Sequence, residues 1–347
     1  MGLLFPALGL QANPDEEEMK SRNETSSADF ILLGLLSRTN AHMFFLALIL
    51  LAFISALSGN VLLIFLIQVD SSLHTPMYFF LSQLALMDIC QTLIVVPKMA
   101  VGFQTSDNTI SPVGCGAQIF LVLTMGASEC LLLAVMAYDR YVAICNPLQY
   151  PVLLSRKVCL GLTSGVWIGA TTDALIFTAS TMHLPYCGSK EINHFFCEVP
   201  ALLKLSCSDT SRYEMLLFVT GTVLLLIPSS IILASYALIL AAVLRIKSAR
   251  GQQKALATCS SHLTVVGMFY GAAIFTYMRP SSYHSPEEDK IVSLFYTIVT
   301  PVLNPLIYSL RNKDVLGSLR KLFGRAVRNF AHCFDLTLFR LISSSEQ

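Results

Sequence analysis

Asp139 and Arg140 stand side by side in the stretch MAYDRYVAICNPLQY, Met136 to Tyr150, at the end of a long apolar run. An ionised pair at that point can satisfy itself at a membrane interface, where a charge costs far less than at the bilayer centre. At its plainest the pair is an interfacial anchor, and Tyr138 and Tyr141 beside it suit an aromatic belt. Pro147 then stops the helix, and a second basic stretch, KSARGQQKALATCSSHL (Lys247 to Leu263), lies on the same side. Together they build a basic face suited to a protein partner. Three more acids, Asp88, Glu129 and Asp173, fall inside apolar runs. A carboxylate in lipid is costly, so each should face other protein and share a cation, a proton or hydrogen bonds. Asp173, with Thr171, Thr172 and Thr178 nearby, either touches a ligand or hydrogen-bonds within the protein.

The elements that hold these residues follow from composition. The chain is 54% hydrophobic and 13% charged, with a mean hydropathy of +0.64, and it carries seven apolar runs long enough to cross a bilayer as helices. They run from Met43 to Gln68, Met77 to Phe103, Cys115 to Tyr138, Val158 to Met182, Tyr213 to Ile246, Ala255 to Met278 and Ile291 to Leu310, and are called helices one to seven below. None shows the period-two alternation of a membrane barrel strand. The expectation is an all-α integral membrane protein: an N-terminal segment over residues 1–42, a seven-helix domain over 43–310, and a cytoplasmic tail over 311–347. An amphipathic eighth helix from Asn312 to Leu322 would lie along the inner leaflet.

Lysine and arginine accumulate on the cytoplasmic side. The loops after helices one, three and five, with the C-terminus, hold 14 of the 23, while DEEE (Asp15 to Glu18) and EED (Glu287 to Asp289) lie on the other side. The N-terminus is therefore outside. The net charge of +1 conceals this asymmetry and points to no nucleic-acid partner. The one N-x-[ST] sequon, NET at Asn23, falls outside, where a glycan can be attached. The opening MGLLFPALGLQA lacks a basic n-region, and Pro6 takes the place of the Ser or Thr of a myristoylation signal. Helix one thus serves as its own insertion signal. Of ten cysteines, Cys90, Cys130, Cys145, Cys159, Cys259 and Cys333 fall where thiols stay reduced, and most suit small apolar packing. Cys115, Cys187, Cys197 and Cys207 fall outside and allow three pairings; two bridges would fold the loop between helices four and five into a lid. His194 and Cys197 in HFFCE have the spacing of metal ligands, but ligation needs a thiolate, so no metal is expected there once Cys197 is in a disulfide.

Four motifs, LHTPMYFFLSQLALMD (Leu73 to Asp88), MAYDRYVAIC (Met136 to Cys145), KALATCSSHLTVV (Lys254 to Val266) and PVLNPLIYSLRN (Pro301 to Asn312), resemble the signatures of vertebrate olfactory receptors. Gly59 and Asn60 in helix one and INHFFCEVP (Ile192 to Pro200) add to the likeness, which runs from about Phe30 to Phe323 and is nearer the tetrapod-type class. That family is a branch of the rhodopsin-like G-protein-coupled receptors. The resemblance implies disulfides Cys115–Cys197 and Cys187–Cys207. It implies that Asp139 restrains Arg140 at rest, and that on activation Arg140 meets a stimulatory olfactory-type Gα subunit as helix six swings outward, with Tyr141 completing the motif. Tyr236 and Tyr308 match tyrosines that move inward, and Asn304 and Pro305 supply a break in helix seven. Asp88 and Glu129 match a sodium pocket; the alternative is a protonated carboxyl bonded to Asn60 or Asn304. No other cofactor is implied. The family's setting is the plasma membrane of sensory cilia.

Counting along helix three from Cys115, the upper inward positions are Val122, Leu123, Gly126 and Ala127, none able to hold an ammonium by charge. Thr220, Gly221 and Leu224 of helix five, and Tyr270, Ala273, Ile274 and Tyr277 of helix six, are expected to complete a pocket for a small, largely apolar volatile. Helix packing is the competing explanation for each. The expected output is a rise in cyclic AMP; the alternative is a receptor of the same type for a metabolite outside the nose. No internal repeats point to a transporter, and no phosphate loop, helical histidine pair or G-x-S-x-G elbow points to an enzyme. The MKSRNETSSADFILLGLL segment makes Met19 an alternative start, and Cys333 in the long tail is either palmitoylated or a plain thiol.

Overall fold

The computed structural model describes residues 29–35, 42–105, 108–246, 248–278, 285–310 and 312–324. The expected glycan acceptor Asn23, the alternative start at Met19 and the tail cysteine Cys333 lie outside them. Seven helices are long and apolar enough to cross a membrane. Helix one spans His42–Val69, helix two Pro76–Thr105, helix three Pro112–Cys145, helix four Arg156–Met182, helix five Ser211–Leu244 and helix six Ala249–Tyr277. Helix seven is composite: Pro286–Leu294, a π turn at Phe295–Val299, then Thr300–Leu310. With no water in hydrocarbon, a helix is the one open-chain geometry that pairs every backbone N–H and C=O internally. Serine and threonine fit the same constraint by turning their hydroxyls onto the preceding turn, as Ser58 does to the Ile54 carbonyl at 2.7 Å and Thr172 to that of Ile168 at 2.8 Å.

Where the chain leaves the membrane, capping residues set the ends. Ser111 accepts from the Gly114 N–H with Pro112 in the first turn, and Ser285 accepts from the Glu288 N–H. Glu287, Glu288 and Asp289 follow in that first turn, the end at which the helix dipole favours negative charge. Helix three runs seven residues past the expected end at Tyr138, closing at Cys145 with Asn146 as its cap. Apolar periodicity could not show this, because the last two turns are mixed in polarity and held by packing: Val142 is fully buried. An eighth helix covers 313–324. It is fastened to the first intracellular loop by Asp70, which accepts from Ser318 Oγ at 2.6 Å and lies 3.4 Å from Lys321 Nζ. The Ser318 and Ser72 hydroxyls hold the Asp70 carboxyl well below the usual carboxylate range.

The outward faces of the helices are apolar and exposed, among them Phe44, Leu51, Ile168, Leu226 and Leu233, as a lipid-facing belt requires. The inner faces meet in a continuous core around Leu84, Leu132 and Leu133. At the extracellular end the fold contains a small sheet that an all-helical expectation did not include. Strand β1 (Phe30–Leu32) lies between β2 (Thr109–Ile110), antiparallel, and β3 (Glu191–Ile192), parallel. Gly34, at φ +81°, takes the left-handed conformation that lets the chain turn off this sheet while its N–H donates to the His194 carbonyl. Disulfides Cys115–Cys197 and Cys187–Cys207 tie the loop between helices four and five to helix three and to itself. Phe195 and Phe196, buried against Val95, Val96, Val122 and Ile298, plug it into the bundle.

Phe196→Ala should cost about 3 kcal/mol or more of stability, the usual range for a fully buried phenylalanine. Heating the receptor in nanodiscs while following exposure of the buried thiols Cys130, Cys159 and Cys259 should show a lower midpoint. An unchanged midpoint would mean that the loop is not part of the core.

Candidate functional site

At the cytoplasmic end, Arg140 lies 3.1 Å from Asp139 Oδ2, and both side chains are almost wholly buried. A short helical turn, Tyr150–Leu153, places the Tyr150 hydroxyl to donate to Asp139 Oδ1 at 2.7 Å. Asp139 is thus held from two sides. Between Glu214 and Glu287 the chain has no acidic residue, so helix six offers Arg140 no carboxylate, and its ion-pair restraint comes from its own helix. Helices five and six are joined next to it by Tyr236, whose hydroxyl lies 2.7 Å from His262 Nδ1 with the rings stacked at 5.8 Å. Tyr308 places a buried hydroxyl that has no hydrogen-bond partner among the described residues. Tyr141 packs part-buried with Tyr236 against the small cluster of Ile239, Val243 and Cys259. Sequence reasoning did not single out His262. The available signal was its period: His262, Phe269, Ala273 and Thr276 lie on one stripe of helix six.

Halfway across the membrane, Asn304 donates to both oxygens of Asp88 at 3.1 Å. Asn60 is not a partner of Asp88: its amide donates to the Pro301 and Ala56 carbonyls at 2.9 and 3.0 Å. Pro305 has no N–H to donate to the carbonyl four residues back, which is that of Pro301, and Asn60 takes up the acceptor so left free. Close approach is needed here, since a Cβ on Gly59 would meet Pro305 Cγ at 3.1 Å. Glu129 has a buried Oε1 with no hydrogen-bond partner, as do Ser128 Oγ and Asn304 Oδ1.

Above this lies a cavity of about 900 Å³, including its opening to solvent. Val122, Leu123, Gly126, Ala127, Asp173, Thr220, Gly221, Leu224 and Ala273 line it, and so does Glu129. Two helix-six expectations need correction, and a third cannot be placed. Tyr270 turns to helix three, where its hydroxyl donates to the Cys130 carbonyl at 3.0 Å. Ile274 is 47% exposed toward the lipid side, because one residue along a helix rotates about 100° and only Ala273 can face inward. The side chain of Tyr277 lies outside the described residues. The wall also includes Gln91, Cys130, Phe177, Leu217, Leu225, Phe269, Thr276 and Tyr296, which sequence reasoning missed. Phe269 and Thr276 could have been found by stepping four back and three on from Ala273. Tyr296 could not, because the π turn that begins at Phe295 changes the register of helix seven.

The lid meets the cavity through Glu198. Its carboxylate accepts from Tyr296 at 2.8 Å and Ser293 at 3.2 Å, both on helix seven, and lies 3.2 Å from His194 Nε2. The Phe196 N–H donates to His194 Nδ1, and the buried Nε2 completes no hydrogen bond among the described residues despite its nearness to Glu198. Gln118 of helix three accepts from the Cys197 N–H at 2.7 Å, just beside the disulfide. Burial, reinforced by the charge of Lys290, pushes the His194 pKa down to about 3. Cys197 is bonded to Cys115 and offers no thiolate, and no cluster of three metal-ligating residues occurs among the described residues.

Seven spanning helices surround an apolar cavity, and the helix that lines it carries a buried Asp139–Arg140 pair at its cytoplasmic end, which is the architecture of a seven-helix membrane protein. A family model described as "Olfactory receptor" matches residues 48–325. Human olfactory receptor 2T11 is 58% identical over 299 residues, which is 86% of this chain and 95% of the relative. Human olfactory receptor 2T27 is 57% identical over 309 residues, covering 89% and 98%, and mouse olfactory receptor 2V1 is 56% identical over 299 residues, covering 86% and 95%. The chain belongs to the olfactory receptor family, a family of G-protein-coupled receptors and not of enzymes, and is a multi-pass protein of the plasma membrane.

The depressed His194 pKa gives the lid a pH dependence of known sign. An opened loop takes up a proton near the ordinary value of 6.5 while the closed loop does not until about 3. Closed-loop stability is therefore complete above pH 6.5 and falls as the pH drops below it, by up to about 1.4 kcal/mol per unit. Hydrogen-exchange protection at Phe196 should fall by up to about tenfold between pH 6.5 and 5.5 and stay level in His194→Phe; equal behaviour of the two would refute the assignment.

Proposed function

We propose that the protein is an odorant receptor that binds small, largely apolar volatile molecules in its cavity and activates a stimulatory olfactory-type G protein, raising cyclic AMP. The observation that carries this reading is that one rigid element bears both ends of the mechanism. Helix three supplies the cavity wall from Val122 to Cys130 and, nine and ten residues on, Asp139 and Arg140. At 1.5 Å per residue, Ala127 and Arg140 are about 20 Å apart along one helix. A ligand that packs between helices three, five and six can bias their relative positions only through a difference in its contacts between two states. The restraint to be released at the other end is the Asp139–Arg140 pair, with Tyr150 on Asp139 and His262 on Tyr236. Release would expose Arg140 to the C-terminal segment of a Gα subunit on the basic cytoplasmic face.

A sodium ion is part of the same proposal. Asp88 and Glu129, with Asn304 in reach of both, provide the hard oxygen donors such a cation prefers, and the unpartnered Glu129 Oε1 and Asn304 Oδ1 fit that use. Bound there, it would supply positive charge that favours the resting arrangement.

Cyclic AMP in cells expressing the receptor with the olfactory-type G protein should rise in a dose-dependent manner with a volatile agonist. It should vanish in Arg140→Ala at equal surface labelling. Tyr150→Phe, which removes one of the two holds on Asp139, should raise basal cyclic AMP by about two- to tenfold, the value of one hydrogen bond of roughly 0.5–1.5 kcal/mol. A basal level no higher than wild type would show that Tyr150 does not restrain the switch.

A further inference from the structure

The wall of the cavity carries hydrogen-bond acceptors that no neighbouring donor meets among the described residues. Asp173, on helix four, lies half-buried in the wall and has neither an ion pair nor a hydrogen bond among the described residues. Tyr213 is close enough to feel its charge, but the Tyr213 hydroxyl is already engaged with the Phe177 carbonyl at 3.0 Å and Thr181 at 2.7 Å. Gln91, on helix two, lines the same space, is 7% exposed, and its Oε1 has no hydrogen-bond partner among the described residues. Two lining hydroxyls are turned elsewhere: Thr276 donates to the Ala272 carbonyl and Tyr296 to Glu198. No lysine, arginine or histidine is among the lining residues.

A buried acceptor without a donor is destabilising, and a ligand that supplies the donor recovers that loss. We propose that the cavity selects molecules whose head group donates hydrogen bonds, an aliphatic alcohol or primary amine on an apolar body, and that Asp173 is the principal acceptor. The inference rests on the reading of this cavity as the odorant site. It sharpens the expectation from helix three alone, whose inward positions hold no charge, because the carboxyl that meets the head group comes from helix four. Carboxylate ligands are disfavoured by the same arrangement, since they bring a negative charge to the Asp173 carboxyl in a wall without lysine, arginine or histidine.

The test uses one carbon skeleton carrying –OH, –NH2, a ketone, –CO2H or no polar group. Two readouts are taken: cyclic AMP in cells, and ligand-induced thermal stabilisation of the full-length receptor in nanodiscs. The alcohol or the amine should act at concentrations at least about tenfold below the ketone and hydrocarbon, with the carboxylate weakest. Asp173→Val at equal surface labelling should weaken the donor ligand by about tenfold and leave the ketone nearly unchanged. Asp173→Asn should retain the alcohol and lose the amine, separating neutral donation from charge. Ketone or hydrocarbon potency equal to the donors, donors indifferent to Asp173→Val, or no stabilisation by either donor would overturn the inference. Gly126→Phe distinguishes this from failure of the cavity reading, because a side chain on Gly126 has no atom within 4 Å of its Cβ and would occupy the cavity. Activation that survives Gly126→Phe sinks the cavity reading itself. Activation lost in Gly126→Phe but unaffected by Asp173→Val sinks only the assignment of the donor head group.

Discussion

Hydrocarbon offers a peptide group no partner except the chain itself, and every other feature of this receptor is arranged around that constraint. It makes the spanning segments helices, and it makes each departure from helical regularity expensive enough to require a local remedy. Asn60 spends its amide on the Pro301 and Ala56 carbonyls, and Asn304 spends its own on Asp88. Polar groups of the bilayer interior thus tie helices one and two each to helix seven. Hydrogen bonds of this kind hold helices together where the hydrophobic effect cannot, since lipid is as apolar as the helix surfaces.

Helix three occupies the middle of the arrangement. Its upper turns form cavity wall, its middle turns carry Glu129 beside the Asp88–Asn304 set, and its last turns hold Asp139 and Arg140. The disulfide from Cys115 to Cys197 joins its outer end to the lid, and Gln118 adds a hydrogen bond to the same loop one turn below. The lid in turn reaches helix seven through Glu198, which bonds to Tyr296 in the cavity wall. Cavity, lid and helix seven therefore meet at one side chain. At the cytoplasmic end the arrangement is looser: one ion pair within helix three, one phenol on Asp139 and one tyrosine–histidine contact between helices five and six. Small, separable contacts of this size suit an equilibrium between two arrangements that differ by a few kcal/mol.

Much of this was legible in the sequence because the signals are additive along the chain. Hydropathy over about twenty residues locates a span regardless of what it packs against, and the asymmetry of lysine and arginine orients it. The motif around Asp139 and Arg140 and the small residues Gly126 and Ala127 could likewise be placed by counting. Counting failed where the helix was irregular or where a loop returned to the bundle. The π turn at Phe295–Val299 shifted the register that brings Tyr296 inward, and Phe195, Phe196 and Glu198 entered the core from a loop with no periodicity.

The sequence by itself determined the number of spans, their orientation, the four extracellular cysteines and the residue types available to a switch, because each depends on local composition and on the solvent it must enter. Only the tertiary structure decided which acid meets which amide, that Ile274 faces lipid while Thr276 faces the cavity, that His262 is the partner of Tyr236, and that Gln91 and Asp173 leave acceptors in one common space. Those outcomes depend on how helices far apart in the chain are rotated and packed against one another, and a rotation of one residue, about 100°, exchanges a lipid-facing side chain for an inward one.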